Sequence, residues 1–414
     1  MSLTSGEIIG CRDCGIIQSL PPTTGGEVIL CCVCDTELER RTGRRLDVAL
    51  AFSVATFLLL IPANLLPFLT TSLFGATRQS YLISGATAMW HLDWPFLSAV
   101  VALFVVIFPL VRFGLLTFIL TVLRFDYRPE WLGPLFRLTN ELKIWAMSDV
   151  FLLALWVAYA RLAATVPTTL DAGAYCFIGA GLTTLFIRAT LDRAAVWNAI
   201  DAGPELTRSP TAIACPSCEL MVDGDREGQG CPRCRARLTR RVSGSVSVAI
   251  ALTLAGLILY VPANIYPIAT IPIGLTPTAY NVLGGVVDLF QAHLYGLGLL
   301  VFTASFAIPF FKLLGLSWCV VSVLTGSTRN LRTKTRVYRV VEEIGRWSMV
   351  DPLVIACFVP VTQFNSALSS SADEAAPFFT TVVILTMLAA RIFDPRLMWD
   401  VRRVSSVAAK RRFV

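Results

Sequence analysis

Eight of the twelve cysteines come as four C-x-x-C pairs, and that spacing is the clearest chemistry-bearing pattern in the chain. The first set is Cys11 and Cys14 with Cys31 and Cys34, Cys32 lying between the last two; the second is Cys215 and Cys218 with Cys231 and Cys234. Two residues between thiols let both face one ion, and two such knuckles converging give a tetrahedral S4 site that suits Zn2+ or iron. Disulfides are excluded if these segments are cytoplasmic, where thiols stay reduced. A redox C-x-x-C would need a βαβ context that neither segment has. No His or carboxylate completes an open three-ligand catalytic site, so two structural Zn2+ sites are the expectation. Cys32 is a spare thiol, and Cys176, Cys319 and Cys357 fall in apolar runs as packing residues.

A second set of chemically interesting residues lies inside long apolar runs. Ionisable groups at membrane depth cost about 2.5–3.5 kcal/mol each on insertion scales and are functional candidates by default. Arg112 and Lys312 each follow a proline by three residues, and Asp149 and Asp351 stand near the inner ends of their runs. The two aspartates are close enough to the boundary to snorkel or to form a structural ion pair. Lys312 lies about eleven residues, roughly 16 Å at 1.5 Å per residue, from the inner end of its span, too far for easy snorkelling. It is expected to act internally, with Thr303, Ser305 and Thr386 extending a polar path. Arg161 is expected to snorkel, while His91 and His293 stand at the outer boundary. Pro62, Pro67, Pro262 and Pro267 interrupt two further runs; Asn64 and Asn264 beside them can seal the freed backbone groups or touch substrate.

The elements that must position these groups follow from composition. The 414 residues are 55% hydrophobic and only 15% charged, with a mean hydropathy of +0.67, against about 45–50% and 25% in soluble domains. Apolar runs near 46–72, 96–122, 146–168, 172–190, 245–270, 293–324, 349–368 and 376–393 can each cross a hydrocarbon core of about 30 Å. With eight spans, all 35 Lys and Arg except Arg78, Arg112, Arg161 and Lys312 fall on the side of the N-terminus. That asymmetry places both termini in the cytoplasm, and it explains the net charge of +7 without nucleic acid. The first 45 residues lack the pattern of a cleaved signal.

The chain also repeats itself. IPANLLPF (61–68) returns as VPANIYPI (261–268), and FPLVRFGLL (108–116) as IPFFKLLGL (308–316), both 200 residues on. At an offset of 202, Glu141, Trp145, Met147 and Asp149 match Glu343, Trp347, Met349 and Asp351, and Asp192 and Trp197 match Asp394 and Trp399. The expected architecture is an all-α polytopic membrane protein of two tandem four-helix modules, each preceded by a small zinc ribbon. The boundaries are ribbon 1 at 1–45, module 1 at 46–198, linker and ribbon 2 at 199–242, module 2 at 243–400 and a basic tail at 401–414. Four spans per module make the repeats parallel. No Walker-type loop occurs, and neither a Ser/His/Asp set nor a carboxylate pair can be assembled, so no enzyme is expected.

The double C-x-x-C ribbon, the PANxxP first span and the WxMxD third span, all duplicated, resemble the paraquat-inducible protein A family, including the inner-membrane proteins of lipophilic envelope-spanning tunnel systems. The resemblance covers nearly the whole chain. It implies a bacterial inner-membrane protein that works with a periplasmic MCE-domain tunnel protein and moves phospholipid or another lipid between membranes. It implies tetraspanin- or claudin-like modules with a small β element after the first helix, here at 73–88 and 271–287. A membrane scaffold or sensor using the ribbons to report metal or redox state, and a stand-alone small-molecule exporter, are the competing expectations.

Overall fold

A bilayer core offers no water to exposed peptide groups, so each apolar run must close its hydrogen bonds within itself. In the computed structural model, which describes residues 8–20, 28–40, 46–73, 76–163, 167–201, 212–273, 276–362 and 371–400, eight helices are long and apolar enough to cross a membrane. They are Leu46–Leu65, Pro95–Arg124, Leu132–Ala160 and Ala172–Thr190 in module 1, and Ser245–Ile265, Tyr295–Leu324, Leu331–Val361 and Ala375–Ile392 in module 2; we number them spans 1 to 8. Of the sequence-based boundaries, the linker residues 202–211, residues 363–368 and the tail 401–414 lie outside the described residues.

Three features depart from a plain bundle, and each has a sequence cause. Spans 2 and 6 carry a π turn, Ala102–Ile107 and Thr303–Ala307, just ahead of Pro109 and Pro309. A proline has no N–H and its ring crowds the carbonyl four residues back; a widened turn there absorbs both defects without breaking the span. Span 3 begins in a polar stretch (FRLTNELK) that hydropathy alone misses, and is broken after Trp145. Ala146 is extended there, at φ −77° and ψ 95°, and the Met147 N–H donates to Phe104 O in the π turn of span 2 at 3.3 Å. Span 7 instead passes through a 3₁₀ turn, Gly345–Met349, straight into the helix Val350–Thr362.

The third feature is the β element, which follows each first span as the resemblance implies but begins and ends earlier than 73–88 and 271–287. Each first span stops before its second proline, and an antiparallel hairpin follows at once: Leu69–Leu73 with Ala76–Ser80, and Ala269–Ile273 with Thr276–Tyr280. The segments beyond are helices, Ser84–His91 and Val282–Gln291. A third strand from the connection between the module's last two spans completes each sheet, Thr168–Leu170 or Ser371–Ala372. Thr70 and Thr270 each donate a hydroxyl to an aspartate just before the last span, Asp171 and Asp373, at 2.5 Å.

The prolines therefore play two roles, not one. Pro62 and Pro262 lie inside their helices. Pro67 and Pro267 lie beyond the helix ends, and their carbonyls accept the N–H groups of Gly173 and Ala375 at the start of spans 4 and 8, at 2.9 and 3.1 Å. Gly173 is required there, since a Cβ would come 2.7 Å from both Leu66 O and Pro67 O. Beneath this junction Phe68, Phe151 and Phe177 form an aromatic triad with centroids 5.2–6.0 Å apart.

The two modules meet along spans 3 and 7. Span 7 is the most enclosed, with 78% of its apolar stretch buried against 50% for span 3. It packs on the outer helix of module 1, where a Cβ at Gly85 would meet Ala356 O at 2.5 Å. Its last turn takes a hydrogen bond from Thr71 of the first sheet, Oγ1 to Val361 O at 3.1 Å.

Candidate metal centres and the charged seam

Each cysteine set converges. Among Cys11, Cys14, Cys31 and Cys34, and again among Cys215, Cys218, Cys231 and Cys234, all four Sγ atoms lie within 4.8 Å of one another and all four residues are buried. The cross-knuckle pairs Cys11–Cys34 and Cys14–Cys31 are 3.5 and 3.6 Å apart, as are Cys215–Cys234 and Cys218–Cys231. A metal–sulfur bond of about 2.3 Å places tetrahedral sulfurs about 3.8 Å apart, so both quartets fit a single ion. The fit has a backbone cause. The residue after each second cysteine, Gly15, Asp35, Glu219 and Arg235, has φ between 56° and 69°. This left-handed turn swings the chain back so that both thiols of a knuckle face inward; only the first of the four uses a glycine to do it.

Hydrogen bonds from the neighbouring thiols, Cys11 first and then Cys14, hold the Cys34 thiol down at about 4, and donors from Cys215, Cys218 and Cys234 hold Cys231 low as well. Cys14, Cys218 and Cys234 are pushed up by the same contacts. Cys32, the spare thiol, is exposed and donates to Gln18 Oε1 at 3.0 Å. Cys319 and Cys357 are buried and Cys176 is half-buried, as packing residues would be.

The ribbons dock crosswise, which the sequence did not foretell. Ribbon 1 sits on span 7: Arg339 donates to Cys34 O at 2.8 Å and Asp35 O at 3.2 Å, lies 3.4 Å from Asp13, and Arg332 donates to Val33 O at 2.7 Å. Ribbon 2 sits on span 3: Arg137, the repeat partner of Arg339, donates to Cys234 O at 3.4 Å. At Gly133 a Cβ would stand 1.9 Å from Arg233 O. Burial pushes the Asp13 carboxyl up, opposed by the Thr36 hydroxyl 2.8 Å away and by Arg12. Thr36 in turn lies 2.9 Å from the Cys34 sulfur.

Of the intramembrane candidates, Asp149 is drawn into an ion-pair cluster. Its Oδ2 accepts Arg188 Nη2 of span 4 at 2.9 Å and lies 3.1 Å from Arg346 Nη2 of module 2. Buried Arg112 is within electrostatic range of all three, its guanidinium 4.8 Å from the centre of the Phe113 ring. Sequence reasoning missed Arg188 and Arg346, counting them only as charges at span ends. The available signal was a break in the repeat, since Arg346 stands where module 1 has Ile144, and Arg188 where module 2 has Ala390.

Lys312 is buried, 2% exposed, and its ammonium donates to Gly345 O at 3.3 Å. A carbonyl oxygen, not a carboxylate, accepts that hydrogen bond. A Cβ at Gly345 would lie 2.9 Å from Lys312 Cε and Nζ, so the glycine makes the room. Asp351 is half-buried in the first turn of Val350–Thr362. Ser305 and Thr386 are each 1% exposed; Ser305 Oγ has no hydrogen-bond partner among the described residues, and Thr386 bonds Val382 O at 2.8 Å. Thr303 departs from the expected path: it is exposed, with its hydroxyl on Leu299 O of its own helix. His91 ends the helix Ser84–His91 and His293 stands two residues past Val282–Gln291; both are exposed.

The asparagines correct the sealing argument in detail. Asn64 Nδ2 donates to Leu60 O at 2.7 Å and Asn264 Nδ2 to Tyr260 O at 2.8 Å. These are the carbonyls four residues before the asparagine, not those four residues before the proline. Both Oδ1 atoms are buried without a partner among the described residues.

Comparison with known proteins follows this architecture. The family described as Paraquat-inducible protein A matches residues 46–201 and 246–403. The chain is 29% identical over 410 residues to intermembrane transport protein PqiA of Escherichia coli, covering 94% of this chain and 95% of that one. It is 27% identical to lipophilic envelope-spanning tunnel protein A of the same organism, covering 96% and 92%. A probable intermembrane transport protein of Haemophilus influenzae is 24% identical, covering 95% and 96%. No solved structure matches.

Proposed function

Because the chain belongs to the paraquat-inducible protein A family, we propose that it is the inner-membrane subunit of a lipid transport system, passing phospholipid or another lipid between that membrane and a periplasmic MCE-domain tunnel protein. The observation that carries this reading is end-to-end likeness, over 94% of the chain or more, to proteins named for intermembrane transport and for an envelope-spanning tunnel. The ribbons then lie in the cytoplasm, on the side rich in Lys and Arg, and the hairpin sheets face the periplasm, where a tunnel protein would dock. Each quartet holds a structural Zn2+, a choice favoured by all-thiolate coordination with no open position. Lys312, Ser305 and Thr386, buried polar groups on spans 6 and 8, are the side chains proposed to contact polar parts of the cargo, with Asn264 and Asp351 as further candidates.

A transfer assay tests this. Liposomes carrying the full chain and a fluorescent phospholipid should deliver it to the soluble MCE partner faster than protein-free liposomes, and Lys312→Met should slow delivery at unchanged abundance. Delivery equal to that of protein-free liposomes would sink the proposal. A sensor reading draws on the arginine grip of Arg339 on the Cys34 and Asp35 carbonyls, which joins a metal knuckle to a span. It predicts that metal removal changes a downstream output while transfer persists.

A further inference from the structure

At the seam between the modules, buried positive charge exceeds what the protein itself neutralises. Arg346 is 7% exposed and Arg112 is buried with it, while the Arg188 side chain is 26% exposed. One carboxylate oxygen, Asp149 Oδ2, serves both Arg188 and Arg346. The second acid at hand, Glu343, is 76% exposed and 3.7 Å from Arg346, a loose pair at the rim. Three guanidiniums against one enclosed carboxylate is an expensive arrangement at low dielectric unless another anion completes it.

The hydrogen-bond inventory points the same way. The Nε–H groups of Arg188 and Arg346 and the hydroxyl of Ser148, next to Asp149 in the chain, are all buried without a partner among the described residues. A guanidinium offers its Nε–H and one terminal N–H as a fork that matches two oxygens of a phosphate. Here two guanidiniums spend a terminal donor on the same aspartate and keep the Nε free. Lys143 lies within electrostatic range of Arg193, Arg112 and Arg188, and of Glu343, so cations outnumber acids around the cluster. The break in span 3 at Ala146 and Met147, both buried, sets Ser148 and Asp149 at the start of a new helix, off the axis of the one before it.

We propose that Arg112, Arg188 and Arg346, with Ser148, bind a phosphate-type oxyanion at the seam between the modules, whether the headgroup of a phospholipid or a free phosphate. Bound there, the anion would bridge span 4 of one module to span 7 of the other and so tie the halves together. The site requires nothing of the transport reading, and a failed transfer assay would leave it standing.

Binding to the full chain, purified in a phosphate-free maltoside detergent, separates the sources. Inorganic phosphate, phosphatidylglycerol in mixed micelles and diacylglycerol of the same chains are each titrated while thermal unfolding is followed, with chloride matching the ionic strength. Stabilisation by inorganic phosphate marks a site open to the free anion; stabilisation by phosphatidylglycerol alone, without diacylglycerol, marks a headgroup site. In either case Arg346→Gln should weaken binding roughly tenfold to a hundredfold through loss of a charge-assisted fork. Equal response to phosphatidylglycerol and diacylglycerol with none to phosphate, no response to any probe, or an unchanged affinity in Arg346→Gln would overturn the site. If that variant does not fold, Glu343→Gln decides. Removing the competing rim carboxylate should tighten binding about twofold to fivefold, and unchanged or weaker binding would count against the proposal.

Discussion

Module 1 and module 2 share a frame down to single hydrogen bonds and differ where their third spans enter the bundle. The matched asparagines bond the matched carbonyls, the matched threonines bond the matched aspartates, and both second spans widen into a π turn before a proline. At the entry of the third span the likeness ends. Module 1 has a broken helix with Lys143 and Ile144 ahead of Asp149; module 2 has a 3₁₀ turn with Gly345 and Arg346 in those places. Its buried Lys312 rests on the Gly345 carbonyl, whereas Arg112, at the matching place in module 1, belongs to a cluster that borrows Arg346 from the other half. The repeat has kept what builds a four-helix module and changed what lies between two of them.

The largest effect should come from the quartets, which test whether the halves are equal in metal dependence. Cys14→Ser and Cys218→Ser should each remove one bound ion per chain, measured by elemental analysis, and uncouple several kcal/mol of the roughly 10–16 kcal/mol that structural zinc supplies. Loss of both ions from either variant would break the picture of independent ribbons. Acid acts through the same thiols. The Cys34 thiol is held well below its ordinary value, at about 4; a depressed group stabilises the fold fully above its unfolded value and loses that contribution as pH falls towards the folded one. Since the other thiols must also lose protons to bind an ion, metal retention should be complete at neutral pH and fall steeply in acid.

Next is the contrast at the third-span entry. Asp149→Ala leaves Arg188 and Arg346 without their shared carboxylate and should cost about 3–5 kcal/mol in thermal unfolding. Lys312→Met removes an ammonium held by one long hydrogen bond and should be neutral or slightly stabilising. Equal losses would mean that the modules are not specialised. Smaller still, Gly133→Ala pushes a Cβ into Arg233 O. It should cost about 1–3 kcal/mol and expose ribbon 2 to protease while ribbon 1 stays protected. Smallest, Asn64→Ala and Asn264→Ala should each cost about 1 kcal/mol and cost it equally; a large difference would place a ligand on one of the two.

Local pattern carried much of this. Eight runs of the right length, four knuckles of the right spacing and the offsets of 200 and 202 were legible because each is set by residues near one another in the chain. Charge asymmetry sorted the loops by the same logic. The start of the hairpin was set too late because LTTSL continues the apolar run of span 1, and only Pro67, which cannot extend that helix, marks the end. The amphipathic entry of span 3 was missed because its polar face, Arg137, Asn140 and Glu141, hides a helix from hydropathy. The crossed ribbons and the pairing of Asp149 with Arg346 depend on which half touches which. A duplicated sequence is silent on that, because Arg137 and Arg339 look alike until one knows whose ribbon each holds.

The crossed docking also sets a timetable for synthesis. The contact of Arg332 with Val33 spans 299 residues, while that of Arg137 with Cys234 spans 97 and its span comes first. Ribbon 2 therefore meets a finished docking surface as it leaves the ribosome. Ribbon 1 must wait about 15–60 s for its own, at about 5–20 residues per second. Through that interval its short strands have no bundle to lean on, and four thiols closing on an ion are what can keep it folded.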